Sequence, residues 1–214
     1  MITLLDYGAG NVRSVINAIE RLGQNVTIVQ SPKDILEAEK LVFPGVGAFG
    51  SMMRILEDKG FARPLKDYIQ ADRPFLGICL GLQALFEFSQ EAPDVPGLGI
   101  IPGRVTRFRT ELSVPHIGWN SVKVHQPSPL FAGFSGDEKL YFVHSYHVVP
   151  EHRDVILATT DYGQEFVSAV QLGRVTATQF HPEKSGPTGL RILENFIRDN
   201  ANPATPLHCP KTTR

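Results

Sequence analysis

The chain has 214 residues, a length that fits one domain with a full hydrophobic core. Hydrophobic residues make up 42%, charged residues 20%, and the formal net charge is −1, which excludes a bulk electrostatic attraction to nucleic acid or to an anionic membrane. Two cysteines cannot form a disulfide framework, and the N-terminal segment lacks the basic start and long apolar run of a signal peptide. We therefore expect a cytoplasmic protein that needs no metal and no cofactor.

The first half of the chain alternates short apolar runs with helical patterns. Residues 2–6 predict a strand, and a helix should follow, because apolar residues recur at helical spacing at Val12, Val15, Ile16, Ile19 and Leu22. Gly23 is expected to end that helix. Further strands are predicted at residues 26–29, 40–43 and 73–78, and a second helix at about 80–88. Strands that alternate with helices indicate a parallel sheet covered on both faces.

The second half, from Ile100 to Thr178, consists of short β-branched or aromatic runs separated by Gly, Pro and Asp. These runs predict antiparallel or mixed strands at residues 121–124, 140–143, 155–159, 166–170 and 174–178. A final helix should bury Leu190, Leu193, Phe196 and Ile197. We expect one domain over residues 1–200, followed by a frayed tail over residues 201–214 that contains three prolines and Cys209.

Cys79 stands at the end of a predicted strand, with Gly77 and Gly81 two residues away on either side. Glycine in these positions suits a sharp strand-to-helix turn that projects a nucleophile out of the sheet. At a helix N-terminus the dipole favours the thiolate, which is the nucleophilic form, and the amide of Leu80 would point at the same site. The alternative is that Cys79 is a small buried hydrophobic residue, although such a residue has no need of a strained turn.

His181 and Glu183 follow the last predicted strand and are separated by one proline. A thiol nucleophile needs a base that takes its proton and returns it to the leaving amine, and a carboxylate can orient that base. A surface turn is the alternative for this tripeptide. His144 and His147 are rival bases. Strand alternation places them on opposite faces, His147 with Tyr141, Val143 and Ser145, and His144 with Phe142 and Tyr146.

Two glycine-rich segments, residues 8–11 and 43–50, each follow a predicted strand. The second could bring backbone amides close to a developing negative charge. The second lacks a Walker phosphate-binding ending and the first lacks the third glycine of a dinucleotide fingerprint, which argues against a nucleotide-binding oxidoreductase. Each segment is also compatible with an ordinary turn between a strand and a helix.

The motifs around Cys79 and His181 resemble those of class-I glutamine amidotransferases. Residues 77–83 look like the nucleophile turn of that family, and residues 181–183 look like its second motif. Four further stretches are similar to the glutaminase subunits of imidazole glycerol phosphate synthases, namely residues 6–11, 44–50, 116–120 and 141–147. The resemblance covers residues 2 to about 200. It implies an α/β, flavodoxin-like amidotransferase fold whose central parallel or mixed sheet is flanked by helices, with an added mixed β-sheet.

The resemblance also implies a reaction. Cys79 would attack the side-chain amide of glutamine, His181 would transfer the proton and Glu183 would orient it. The amides of Val46 and Leu80 would hold the oxyanion, and the glutamine would be held by Gly47, Gln83, Ser145 and Tyr146. The ammonia would pass to a cyclase subunit of (β/α)₈-barrel type, the partner in a heterodimer that makes imidazole glycerol phosphate in histidine biosynthesis. That partner would contact Trp119, Tyr141 and Lys184.

Three rival functions remain open on sequence grounds. An amidotransferase subunit of another synthase, such as the anthranilate type, would share the three catalytic residues but lack the patterns at 116–120 and 141–147. A catalytically silent regulatory member is disfavoured by the complete set of catalytic residues, and a cysteine peptidase of related architecture fits less well. We further expect low glutaminase activity in the isolated chain, with residues 44–47 as a switch whose glycines permit a peptide rotation.

Overall fold

The computed structural model describes residues 1–8 and 12–199. The helices are α1 (Val12–Arg21), α2 (Pro32–Glu37), α3 (Phe49–Asp58), α4 (Ala62–Gln70), α5 (Leu80–Gln83) and α6 (Gly186–Arg198). The strands of the first half are β1 (Ile2–Leu4), β2 (Val26–Ile28), β3 (Lys40–Gly45), β4 (Phe75–Cys79), β5 (Phe88–Ser89) and β6 (Ala92–Pro96). Those of the second half are β7 (Gly103–Arg107), β8 (His116–Ser121), β9 (Lys123–Val124), β10 (Lys139–His144), β11 (Tyr146–Pro150), β12 (Ile156–Asp161), β13 (Glu165–Leu172) and β14 (Val175–Thr178).

The first half of the chain builds a parallel sheet in the order β2-β1-β3-β4, and β14 joins it beside β4. Strands β3 and β4 are buried almost throughout because helices cover both faces. On one face the core contains side chains of α2, α3, α4 and α5, and on the other it contains those of α1 and α6. This arrangement confirms the predicted α/β fold with helices on both sides of the sheet.

The second half extends the same sheet rather than forming a separate domain. Strand β13 pairs antiparallel with β14, and the sheet continues through β11, β7, β5 and β6. Strands β12 and β9 branch from β13, while β10 and β8 pair with each other as a two-stranded antiparallel sheet. The predicted mixed sheet is therefore present. Within the described ranges no helix is long and apolar enough to cross a bilayer.

The helix predicted at about 80–88 is wrong in its length, because α5 ends at Gln83. The carbonyl oxygens that a longer helix would use bond instead to a returning segment. Leu98 N–H donates to the Ala84 oxygen at 2.8 Å, and the amides of Ile100 and Ile101 both donate to the Leu85 oxygen. The apolar pattern after Gln83 reflects burial in the core and not helical geometry, and Phe88 begins strand β5.

The single strand predicted through residues 141–147 is also wrong, because the chain breaks at Ser145. Strand β10 ends at His144 and pairs with β8, whereas β11 begins at Tyr146 and pairs with β7 in the large sheet. His144 and His147 therefore lie in different strands, and both are buried. The predicted tail, with Cys209, lies outside the described residues.

Candidate active site

Cys79 occupies the sharp turn that the flanking glycines predict. Its backbone has φ 55° and ψ −104°, a conformation that a residue with a side chain rarely adopts, and it lies between β4 and α5. A Cβ on Gly81 would lie 2.1 Å from the Phe43 carbonyl oxygen, and one on Gly77 would lie 2.8 Å from the Gly81 oxygen. Both glycines are needed because β3, β4 and α5 approach this closely, and the approach fixes the direction of the thiol.

His181 and Glu183 form a buried pair on the short 3-10 turn after β14. The Nδ1 atom of His181 lies 2.7 Å from Glu183 Oε1, and since a carboxylate only accepts, the ring nitrogen donates. Strand β10 anchors this turn, because His181 N–H donates to the Tyr141 oxygen at 2.9 Å. Ser185 supports it from the other side, and its hydroxyl donates to the His181 oxygen at 2.6 Å. The alternative of a surface turn is therefore excluded.

Charge decides the protonation of His181. Burial by itself would lower the pKa of this imidazole, but the Cys79 sulfur and the Glu183 carboxylate together raise the pKa to about 10. The Nε2 atom of His181 meets no partner at full hydrogen-bond geometry in the described ranges, so Cys79 raises the pKa of His181 through electrostatic attraction. An imidazolium at neutral pH is the counterion that a cysteine thiolate requires.

A cavity of about 420 Å³ contains the thiol and most of the predicted site residues. Its lining includes Val46, Gly47, Cys79, Leu80, Gln83, Ser145, Tyr146, His181 and Lys184, all of which the sequence analysis singled out. Glu91, Pro115, Val143 and His144 also line it. Residues from six separated stretches of the chain thus meet in one space, which is large enough for an amino acid.

Tyr7 contacts the predicted oxyanion segment. It lies within the stretch 6–11 that carries the family resemblance, but no role was predicted for it. Its buried hydroxyl donates to the Val46 carbonyl oxygen at 2.6 Å and accepts from the Val46 N–H at 3.0 Å. Burial raises the pKa of Tyr7, although the bond to Val46 opposes this effect. The Val46 amide is therefore occupied by a side chain in this structure. Only the position of Tyr7, three residues after the end of β1 and close to the end of the neighbouring strand β3, could have suggested the contact.

A second polar chain runs from Gln83 to the nucleophile. Gln83 Nε2 donates to the Tyr146 carbonyl oxygen at 3.1 Å and lies 3.3 Å from Gln179 Oε1. Gln179 Nε2 in turn lies 3.6 Å from Cys79 Sγ. Gln83 and Gln179 are almost completely buried, so these contacts are internal to the protein.

The rival histidines have other environments. His144 lines the cavity, but its Nδ1 lies 2.8 Å from the Tyr146 carbonyl oxygen, and burial lowers its pKa to about 3. His147 lines a different cavity and lies 2.9 Å from Gln164 Nε2. Among residues 1–8 and 12–199, no carboxylate pairs with either of these histidines, whereas Glu183 pairs with His181. The geometry thus favours His181 as the base.

The three predicted interface residues lie near the cavity on an exposed face. Trp119 is 53% exposed and lies opposite Tyr141 across the β8–β10 pair, with ring centroids 6.0 Å apart. Its neighbour on that face, Ile117, is also exposed and lies opposite Val143, which lines the cavity. Lys184 is exposed at the same rim. Trp119 is therefore a surface residue and not part of the core.

A larger cavity, of about 750 Å³, lies elsewhere, between the β8–β9 connection, the segment around Phe131 and strand β12. It contains no cysteine and no histidine–carboxylate pair in its lining. We place the candidate active site in the smaller cavity because catalysis requires the reacting groups and not the largest volume.

Comparisons with known proteins show the family to which the chain belongs. A family model described as "Glutamine amidotransferase class-I" matches residues 3–200. "Imidazole glycerol phosphate synthase subunit HisH" of Syntrophotalea carbinolica is 50% identical over 203 residues, which cover 92% of this chain and 98% of that protein. The chain belongs to the HisH family of class-I glutamine amidotransferases.

Two further comparisons place this HisH-family chain more broadly. The chloroplastic "Imidazole glycerol phosphate synthase hisHF" of Arabidopsis thaliana is 51% identical over 209 residues, and the match covers 96% of this chain but only 35% of that longer protein. Among solved structures, PurLQS from Thermotoga maritima superposes with a TM-score of 0.73 at 18% identity, covering 92% of this chain and 96% of that one. At that identity the likeness supports the fold alone. The HisH relatives favour a subunit of imidazole glycerol phosphate synthase over an amidotransferase subunit of the anthranilate type.

Proposed function

We propose that this chain is the glutaminase subunit of an imidazole glycerol phosphate synthase. It hydrolyses glutamine to glutamate and ammonia, and the ammonia goes to a cyclase that makes imidazole glycerol phosphate and an aminoimidazole carboxamide ribonucleotide in histidine biosynthesis. The observation that carries the proposal is the buried His181–Glu183 pair, 2.7 Å apart, in the same site as a cysteine on a strained turn.

The proposed reaction has two halves. The Cys79 sulfur attacks the side-chain carbonyl carbon of glutamine, the carbon–nitrogen bond breaks, and His181 gives a proton to the departing ammonia. Water then attacks the resulting thioester, His181 accepts the proton of that water, and glutamate leaves, which restores the Cys79 thiolate and the His181 imidazolium. Glu183 holds the imidazole in the required orientation throughout.

The negative oxygen formed in each half needs backbone donors. We assign them to the N–H groups of Leu80 and Val46, each worth about 3 kcal/mol of transition-state stabilisation. Leu80 begins α5 and lines the cavity, which supports its assignment. Val46 can serve only after its N–H leaves the Tyr7 hydroxyl. Glutamine would be held by the cavity residues Gly47, Gln83, Ser145 and Tyr146.

The partner is proposed to be a (β/α)₈-barrel cyclase subunit that forms a heterodimer with this chain. It would cover the exposed face that bears Trp119 and Tyr141, where Lys184 could pair with a partner carboxylate beside the ammonia exit. The fused relative from Arabidopsis thaliana, of which this chain matches about a third, is consistent with a partner domain but does not identify its fold.

Replacing the nucleophile tests the proposal. We expect Cys79→Ala to lower glutamine-dependent synthesis by the complex at least about a thousandfold, because the thiol forms the covalent intermediate. Synthesis from added ammonia should remain, since ammonia bypasses the glutaminase site. Cys209→Ala, which changes the other cysteine, serves as the matched control. Normal glutamine turnover by Cys79→Ala would show that the catalytic assignment is wrong.

A further inference from the structure

Gln179 contacts the reacting sulfur, although it belongs to none of the catalytic, oxyanion or substrate groups assigned above. It follows β14 directly, at the point where that strand ends beside β4. Its side chain is completely buried, and its Nε2 atom lies 3.6 Å from Cys79 Sγ. A buried amide beside a thiol needs a reason, because burying polar groups is costly unless they are paired.

The orientation of this amide follows from one backbone carbonyl. The Tyr146 oxygen can only accept, so the Gln83 atom 3.1 Å from it is the NH₂ group. The same NH₂ group faces Gln179 at 3.3 Å, and the Gln179 atom that it meets is therefore the oxygen. The NH₂ group of Gln179 is thus the end that faces the sulfur. A hydrogen bond from this position is stronger when the sulfur is charged.

We propose that Gln179 is a further catalytic residue, which stabilises the thiolate form of Cys79 by donating an N–H···S hydrogen bond. The inference rests on the proposed glutaminase function, because only a nucleophile benefits from this stabilisation. Gln83 has a matching second function: it holds the Gln179 oxygen and so keeps the donor aimed at Sγ. His181 and Gln179 then have different roles at the thiolate. His181 supplies the positive counter-charge and the proton, whereas Gln179 supplies a hydrogen-bond donor that does not titrate.

Alkylation of the thiol measures this effect without glutamine. The experiment uses the full chain carrying Cys209→Ser, so that Cys79 is the only thiol, and records the rate of reaction with iodoacetamide against pH. We expect Gln179→Leu to move the pH midpoint of alkylation up by about one unit and to slow the reaction at pH 7 about tenfold. Gln179→Met keeps the length of the side chain but has neither a donor nor a charge, and it should move the midpoint about as far.

The other titratable groups near the thiol are unchanged in these variants. They are Tyr7, Glu91, His144, Tyr146, His181 and Lys184. Gln171→Leu is the matched control, because the Gln171 side chain bonds to the Gly173 oxygen, away from the cavity. Its alkylation profile should coincide with that of the parent chain.

The outcomes separate this inference from the proposed function. If both Gln179 variants alkylate with the parent profile, Gln179 does not act on the thiolate, whatever the glutaminase assay shows. If Gln179→Leu fails to fold, as thermal unfolding would reveal, the uncharged Gln179→Met decides. The proposed function fails separately, when Cys79→Ala retains glutamine turnover. In the glutaminase assay with partner, Gln179→Leu should lower kcat about tenfold and change KM much less, because the amide contacts the nucleophile and not the substrate.

Discussion

Tyr7 holds the peptide that the proposed reaction needs. Its hydroxyl accepts from the Val46 N–H, which belongs to the Gly45–Val46 peptide, and donates to the Val46 carbonyl oxygen, which belongs to the next peptide. A rotation that turns the Val46 N–H towards the substrate must therefore break one of these two hydrogen bonds, and Gly45, which has no side chain, borders the rotating peptide. The Tyr7 side chain would then explain the low glutaminase activity expected of the isolated chain. That low activity remains a prediction.

Tyr7→Phe should raise the glutaminase activity of the isolated chain about fivefold, because the hydrogen bond of about 1 kcal/mol that holds the Val46 N–H is lost. The complex with its partner, in which the amide is expected to be free already, should change little. The measurement is initial-rate glutaminase activity at saturating glutamine, with and without partner.

Tyr68→Phe is the control for this variant. Tyr68 is equally buried, and its hydroxyl donates to the Pro74 oxygen at 2.9 Å, away from the active site. Should Tyr7→Phe lower activity in the free chain and in the complex alike, Tyr7 would instead maintain a productive loop.

The two-stranded β8–β10 element presents the proposed docking face. Register places Trp119 opposite Tyr141 and Ile117 opposite Val143, so one side of this pair is apolar and exposed while the other, with His116 and His144, is buried. Large aromatic rings at the centre of such a face are frequent anchors of protein interfaces.

Trp119→Ala should weaken association with the cyclase by about 2 kcal/mol, or about thirtyfold in Kd. The thermal midpoint of the free chain should stay unchanged, because the ring is more than half exposed. Titration calorimetry with the partner measures the affinity, and thermal unfolding of the free subunit measures the thermal midpoint. Leu36→Ala removes a comparably exposed side chain on α2 and serves as the control. Unchanged affinity, or a destabilised free chain, would place the docking face elsewhere.

At the scale of the whole molecule, buried neutral histidines set the stability in acid. Burial lowers the pKa of His144 to about 3 and that of His116 to about 4, and it also lowers the pKa of His147. Unfolding exposes these rings, which then bind protons below about pH 6.5. The unfolded state therefore binds more protons than the native state, and the free energy of unfolding falls as the pH drops from 6.5 towards 4.

We expect each of His116 and His144 to contribute about 1.4 kcal/mol per pH unit to this fall. His181 adds nothing to it, because its raised pKa leaves it protonated in both states below pH 6. His116→Phe should reduce the slope, since the ring stacks between Phe142 and Tyr162 and a phenyl ring can replace it. Urea unfolding at pH 7 and pH 5 measures the change.

His152→Gln removes an exposed histidine and should leave the slope as it is. If His116→Phe and the parent chain lose the same free energy of unfolding between pH 7 and pH 5, burial of His116 does not control stability in acid.

The sequence by itself determined the α/β class, most strands, and the strained turn at Cys79. These depend on local rules: apolar periodicity marks the elements, and Gly77 and Gly81 are required where backbones nearly touch. The pairing of His181 with Glu183 was likewise local, because two residues and a proline fix their separation. The family motifs gave most of the cavity residues, but no spacing could show that six distant stretches converge.

Tertiary structure alone decided what depends on long-range contacts. Helix α5 stops at Gln83 because residues 98–101 return and donate to the carbonyl groups that follow the helix, those of Ala84 and Leu85. The strand breaks at Ser145 because the segments on either side of it join different sheets. The hydrogen bond between Tyr7 and Val46 joins residues 39 positions apart, and the contact between Gln179 and Cys79 joins residues 100 positions apart. Such contacts leave no periodic signal, since they arise only when strand ends meet at one edge of the folded sheet.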